Sequence, residues 1–384
     1  MMKIGIITYW RGTSNYGMLA QHWALQTVLK KIGHNPFLIR YFPDFNNGVL
    51  KRWIKEYEIA DYVRALLAML KGDISLITRK VHDNRRGFSS FRKKNIRLSK
   101  RKYYSLNALQ INPPKADVYI TGSDQVWSQL LSDKENEVYF LNFGSEKTRR
   151  VSYAPSFSMQ SYPADLENKL KDNLSRFNSI SCREYSGVKI CKDLGINEAV
   201  KVLDPTFLLN KEDYLDLIGS RNNLQPSNPY IFIYSLNIKE PEEIRWKELY
   251  DFSSNKEFIV TPADGYTVGK EIFGDLVRYS YCTLEEWLSN IFYSSLVVTP
   301  SFHGIALSII LEKDFVYTPL AGKRSQGNNR ILDLLNDMNL GNRILNSNRS
   351  YLDVVSNSID WDIVRKRLDV EKSNSLNFLK NSIL

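Results

Sequence analysis

The chain has 384 residues, 43% apolar and 24% charged, which excludes wholesale disorder and exceeds what one hydrophobic core usually serves, so two domains are expected. The formal charge of +10 resides in one stretch, because between Lys71 and Tyr103 twelve lysines or arginines face only Asp73 and Asp83; a generally basic nucleic-acid-binding body is excluded. Cys182, Cys191 and Cys282 form neither a zinc spacing nor a disulfide framework and suit a reducing, cytoplasmic compartment, and no apolar run reaches the roughly 18 residues of a membrane span.

Ile4–Tyr9 is a short, nearly continuous apolar run and predicts a strand buried on both faces. Helical spacing follows at Leu19, Trp23, Leu25, Leu29 and Ile32, with Gly33 as C-cap, and Phe37–Tyr41 resumes as strand. Such a βαβ unit implies a parallel sheet. An insert at about 52–104 interrupts it. Its first part is expected to be a helix carrying Ile54, Ile59, Tyr62, Leu66 and Leu70, and its basic remainder sets Phe88, Phe91 and Ile96 between charges. That remainder reads either as a solvated face with a few anchoring side chains or as a surface for anionic membrane or ligand.

Strands are expected at Asp117–Thr121, Arg150–Tyr153, Ser179–Cys182 and Val200–Leu203, with a helix at Leu166–Phe177; the first domain then spans 1–209. A connector at 210–228, rich in Asn, Ser and Pro towards its end, leads to a second domain at 229–355. Its strands are expected at Tyr230–Tyr234, Phe258–Thr261, Leu296–Thr299 and Phe315–Tyr317, and its helices at Glu240–Phe252, Leu284–Phe292, Ile305–Glu312 and Arg330–Leu335. Residues 356–384 read as a C-terminal helix that packs at the surface or crosses back to the first domain. Most of the 22 Tyr, 18 Phe and 7 Trp belong to core positions on this reading.

Open α/β sheets bind ligands at the carboxyl ends of their strands, so residues just after predicted strands are the site candidates. Gly12-Thr13-Ser14-Asn15-Tyr16-Gly17 is one such loop, able to hold an anion on backbone N–H groups or to serve as a turn; it lacks both the dinucleotide fingerprint and a Walker ending. Ser123 and Asp124 follow another strand, where Asp124 acts either as a base or as a cap. Arg183 suits a bidentate clamp on phosphate or carboxylate, or else pairs with Glu184, while Cys182 reads as a small buried hydrophobe. In Thr299-Pro300-Ser301-Phe302-His303-Gly304 a helix is expected to begin near Gly304. A histidine there gains nothing from the helix dipole when protonated, so a bound anion would compensate, with Ser301 as cap or ligand; a structural histidine is the rival reading.

The chain resembles the polysaccharide pyruvyl transferase family over most of its length. The matching stretches are Thr13–Gly17, Gly122–Trp127, Arg183–Gly187, Leu203-Asp204-Pro205-Thr206, Ser301–Gly304 and Asn329-Arg330-Ile331 with Leu334-Leu335. The resemblance implies an α/β fold of two Rossmann-like domains facing across a cleft, GT-B-like, and transfer of the pyruvyl group of phosphoenolpyruvate onto two sugar hydroxyls as a ketal. That chemistry calls for no cofactor beyond the donor, and the sequence carries no cofactor or metal motif. The implied acceptor is a sugar or lipid-linked oligosaccharide in a capsular, exopolysaccharide or cell-wall glycan; peripheral contact with an anionic membrane is expected from the basic insert, and no nucleic acid from the charge distribution. Arg183 and His303 match positions associated with the donor's phosphate. Several members carry Arg-Leu-His where this chain has Ser301-Phe302-His303, so Lys323, Arg324 or Arg330 is expected to replace the missing charge. His303 is the expected acid, Asp124 the second catalytic group, and Asn15, Tyr16, Gly17, Ser123 and Ser301 further substrate contacts. Sugar transfer from a nucleotide sugar and non-catalytic binding of a sugar or anionic lipid are the alternatives.

Overall fold

Two parallel sheets wound in the same order organise the chain, whose computed structural model describes residues 1–10, 15–42, 86–219, 228–264 and 266–384. The first sheet contains β1 (Lys3–Ile7), β2 (Asn35–Tyr41), β3 (Leu98–Tyr103), β4 (Val118–Thr121) and β5 (Arg149–Ser152), in the order β3-β2-β1-β4-β5. Every pairing is parallel. Beyond β5 the Ser152 N–H donates to the Ser179 carbonyl at 3.0 Å, and the short parallel pair β6 (Ser181–Cys182) and β7 (Val200–Lys201) continues the layer. The second sheet contains β8 (Tyr230–Ser235), β9 (Glu257–Pro262), β10 (Arg278–Tyr279), β11 (Leu296–Thr299) and β12 (Phe315–Tyr317), ordered β10-β9-β8-β11-β12.

The central strands β4, β8 and β11 are buried along their whole length, as their uninterrupted apolar runs require when helices cover both faces of a sheet. In each domain the winding reverses between two adjacent strands, β1 and β4 in the first and β8 and β11 in the second. Connections leaving such a pair pass to opposite faces, so a crevice opens at their carboxyl ends.

The helix Tyr16–Lys31 follows β1. Asn15 caps it by accepting from the Met18 N–H at 3.0 Å, and Gly33, at φ 89°, ends it. There the Gly33 and His34 N–H groups return to the carbonyls of Lys30 and Leu29, the Schellman arrangement that favours glycine.

Four expectations need correction. The basic remainder of the insert is integral to the first domain where it is described: Phe88–Asn95 is a helix and Leu98–Tyr103 is the edge strand β3. Phe88, Phe91 and Ile96 are core residues at 4% exposure each, so these side chains are not presented to a membrane. Lys100, Arg101 and Lys102 are exposed along that edge, where charge discourages pairing with another chain. The helix expected at Glu240–Phe252 is broken, because Pro241–Ile244 is a 3-10 turn and Arg245, at φ 51°, separates it from the helix Trp246–Phe252. The helix after β11 starts at Phe302 rather than near Gly304. Within the connector, Lys211–Ile218 forms a helix closed by a capping box between Asn210 and Asp213. The helix expected around Ile54–Leu70 lies outside the described residues.

One hydrophobic cluster runs through both domains, beside a further cluster within each. Tyr16 of the first stacks on Trp287 of the second, with centroids 5.2 Å apart, and its hydroxyl donates to the Cys282 carbonyl at 2.6 Å. The terminal helix Trp361–Ile383 returns to the first domain, where Ser375 Oγ accepts from the Leu203 N–H at 2.9 Å and Lys372 Nζ donates to the Leu209 carbonyl at 3.0 Å. Among the described residues no helix is long and apolar enough to cross a membrane.

Candidate functional site

The turns after β4, β5 and β6 are knitted together by backbone hydrogen bonds. The Tyr153 N–H reaches the Thr121 carbonyl, the Ser156 N–H reaches Asp124, and the Arg183 N–H reaches Pro155, at 2.8, 2.8 and 3.2 Å. Three residues without glycine's freedom have positive φ here: Asp124 at 104°, Ala154 at 57° and Ser158 at 53°. Each such conformation costs on the order of 1–3 kcal/mol and persists only where its surroundings over-determine it, which is typical of functional sites.

Asp204, just beyond β7, is the node of the site. Its Oδ1 accepts from the Thr206 N–H at 3.0 Å and the Thr206 hydroxyl at 2.7 Å. Its Oδ2 accepts from the Ser123 hydroxyl at 2.6 Å and from Arg183 Nη1 at 3.1 Å. His303 Nε2 approaches the same oxygen at 3.5 Å, within ion-pair reach but not aligned for a hydrogen bond. Burial alone would raise the Asp204 pKa. His303, Arg183 and the Ser123 hydroxyl outweigh it and hold the carboxyl well below the usual carboxylate range.

His303 is brought to this node by local chain geometry. β11 ends at Thr299, Ser301 caps the next helix by accepting from the Gly304 N–H at 3.3 Å, and His303 stands in that helix's first turn. The first turn of Tyr16–Lys31 presses against it from the other domain. A Cβ on Gly17 would lie 2.2 Å from His303 Nδ1, so only glycine allows this approach.

Arg330, from the helix Asn329–Asp337, joins from the second domain. The guanidinium carbons of Arg183 and Arg330 lie 4.6 and 6.0 Å from the centre of the Phe302 ring, a cation–π arrangement that gathers two positive charges about one ring. Arg330 Nη1 donates to Ser158 Oγ at 3.5 Å, and the Gln125 amide faces the same guanidinium. Burial, and then Arg183, lower the Arg330 pKa to about 10, with Asp124 and Glu184 opposing them. Glu184 is buried beside both arginines, its Oε1 accepting from the Phe157 and Ser158 N–H groups at 2.8 and 3.3 Å. Burial raises its pKa despite Arg183, the Ser156 hydroxyl and Arg330. Four buried polar atoms of this cluster find no hydrogen-bond partner among the described residues: Arg183 Nε, Arg330 Nε, His303 Nε2 and Glu184 Oε2. Three of them belong to groups suited to an anion.

The structure thus brings together Gly17, Ser123, Arg183, His303 and Arg330, with Asp124 beside them. Asp124 Oδ1 accepts from the Gln125 N–H at 2.8 Å. Asn15 and Ser301 serve as helix caps, and Tyr16 is buried in the domain interface. Arg324 points elsewhere, pairing with Glu243 at 2.7 Å, and Lys323 lies in the 3-10 segment Gly322–Asn328. Gly12, Thr13 and Ser14 fall outside the described residues.

Sequence reasoning gave no site role to Asp204, Phe302 or Ser158, and named Glu184 only as a rival partner for Arg183. Asp204-Pro205 carried a usable signal, since a capping residue followed by proline marks a turn after a strand. For Ser158 and Phe302 no local pattern exists, because Ser158 meets Arg330 172 positions away and Phe302 meets Arg183 of the other domain.

A family model described as polysaccharide pyruvyl transferase matches residues 15–319. A search of curated proteins found no match in sequence. Among solved structures, the UDP-GlcNAc 2-epimerase of Neisseria meningitidis bound to UDP-GlcNAc is similar over 99% of both chains, at 9% identity and a TM-score of 0.52. The UDP-GlcNAc 2-epimerase of Methanocaldococcus jannaschii, in complex with UDP-GlcNAc and UDP, is similar over 96% of this chain and 92% of that one, at 11% identity and a TM-score of 0.47. The first likeness shows the fold alone, a GT-B-like pair of Rossmann-like domains facing across a cleft.

Proposed function

Because the chain belongs to the polysaccharide pyruvyl transferase family, we propose that it transfers the pyruvyl group of phosphoenolpyruvate onto two hydroxyls of a sugar in a capsular, exopolysaccharide or cell-wall glycan. One observation carries this reading: Arg183, Arg330 and His303 converge from two domains, and each arginine keeps a buried Nε to which no described residue hydrogen-bonds. Phosphoenolpyruvate has a phosphate and a carboxylate to be held, and two arginines about one aromatic ring offer two separate clamps. Arg330 is the group that supplies the charge which Ser301, in the place of the more usual arginine, does not.

In this proposal a proton is delivered to the methylene carbon, and the adjacent carbon becomes oxocarbenium-like. One sugar hydroxyl adds there, and a second displaces phosphate to close the ketal. Of the two hydroxyl protons released, one restores the acid and the other leaves with phosphate. His303 is the proposed acid, and Asp124, beside Ser123 at the strand edge, the proposed base for the sugar hydroxyl. A positioned acid contributes roughly 10²–10⁴-fold in rate. The reaction needs no hydride carrier or electron sink.

The test is release of inorganic phosphate from phosphoenolpyruvate with oligosaccharide acceptors, followed by mass analysis for the ketal. His303→Gln should retain phosphoenolpyruvate binding and lose most turnover. Release of a nucleotide from a nucleotide sugar, with no phosphoenolpyruvate consumed, would instead support sugar transfer.

A further inference from the structure

Asp204 is held by the first domain independently of the second. Thr206 supplies two donors to Oδ1, and Ser123 and Arg183 supply one each to Oδ2, so the carboxylate plane cannot rotate. Its side chain is wholly buried, yet His303, Arg183 and the Ser123 hydroxyl together keep it ionised. All four of its hydrogen-bond donors come from the first domain. His303 nevertheless comes from the other domain to stand 3.5 Å from Oδ2, and Gly17 is bare so that the ring fits there.

We infer that Asp204 is a positioning residue for the proposed pyruvyl transfer: it fixes the orientation of the His303 ring and stabilises the imidazolium that gives up the proton. This inference rests on the function proposed above. The physical logic is that of any carboxylate–imidazole pair, in which the anion selects the ring's orientation and offsets its positive charge.

The placement has a second consequence of opposite sign. Asp204 also lies against Arg183, so its negative charge opposes any anionic substrate that the arginine holds. One group therefore assists proton delivery and weakens donor binding. A residue that merely supported the fold would not separate the two.

The experiment is Asp204→Asn, which keeps the shape and removes the charge, measured by phosphate release and by calorimetric binding of phosphoenolpyruvate. Turnover should fall by about 100-fold, within the range of a disabled general acid, while phosphoenolpyruvate binds as tightly as in wild type or several-fold more tightly. In a His303→Gln background the same change should cost little further turnover, because the two act as one unit. Should Asp204→Asn fail to fold, Ser123→Ala removes one donor that fixes Oδ2. It should lower turnover in wild type and have little further effect in His303→Gln. Parallel losses of binding and turnover, or losses that add fully to those of His303→Gln, would overturn the inference while leaving the proposed reaction intact. No phosphate release by the wild-type protein with any acceptor would overturn both.

Discussion

Arg183 Nη1 and His303 Nε2, from different domains, approach one oxygen, Asp204 Oδ2, at 3.1 and 3.5 Å. The anion that gathers them is thus part of the protein. Any ligand anion must use what remains of these groups, above all Arg183 Nε and the neighbouring Arg330.

Arg183→Ala should therefore do more than weaken phosphoenolpyruvate binding. It leaves a fully buried carboxylate without its closest cation, a loss worth about 3–5 kcal/mol for buried pairs. Urea unfolding should show that loss, and Arg183→Lys should restore part of it. Wild-type stability in Arg183→Ala would mean that Ser123, Thr206 and His303 suffice to hold Asp204.

Gly17→Ala offers a local test of the domain contact. In an ordinary helix this change stabilises by roughly 0.5–1 kcal/mol. Here the new methyl would lie 2.2 Å from His303 Nδ1, so overpacking of about 1–3 kcal/mol and displacement of the ring are expected. Turnover should drop and the melting temperature should fall. A raised melting temperature with normal turnover would remove Gly17 from the site.

Arg330 predicts an alkaline limb. Burial and Arg183 bring its pKa down to about 10, so the charge is present at neutral pH and is lost as pH rises through that value. Phosphoenolpyruvate affinity should hold steady below this range and decline above it. Arg330→Gln should bind more weakly by about 1.5–3 kcal/mol at neutral pH and lack the limb. An identical decline in the variant would assign it to another group.

Glu184 predicts a pH-dependent stability. Its folded-state pKa is raised, chiefly by burial, so the stability linked to it is full in acid and is lost as pH rises through the raised value. Glu184→Gln keeps an oxygen for the Phe157 and Ser158 N–H groups and has no such titration. Its stability relative to wild type should increase from acidic to neutral pH and then level off. Melting temperatures that differ by a constant amount across that range would contradict this.

The strands β4, β8, β11 and β12 were legible because buried strands write themselves as apolar runs, and β1 because the following helix carries a clear period and a glycine stop. The edge strand β3 was not legible, since Leu98–Tyr103 has three consecutive charged residues on a solvent-facing rim and reads as a loop. Likewise Arg245 breaks a helix by adopting a left-handed conformation that its own sequence does not demand.

Sequence alone determined that Ser123, Arg183 and His303 stand just after strands, because strand ends are local features and parallel sheets present such ends together. Only the tertiary structure decided that they meet on Asp204, that Arg330 rather than Arg324 shares the Phe302 ring with Arg183, and that Asn15 and Ser301 cap helices. Which charge faces which is set by the docking of two domains through Tyr16, Gly17 and Trp287. Contacts between residues hundreds of positions apart leave no periodicity for local reading to detect.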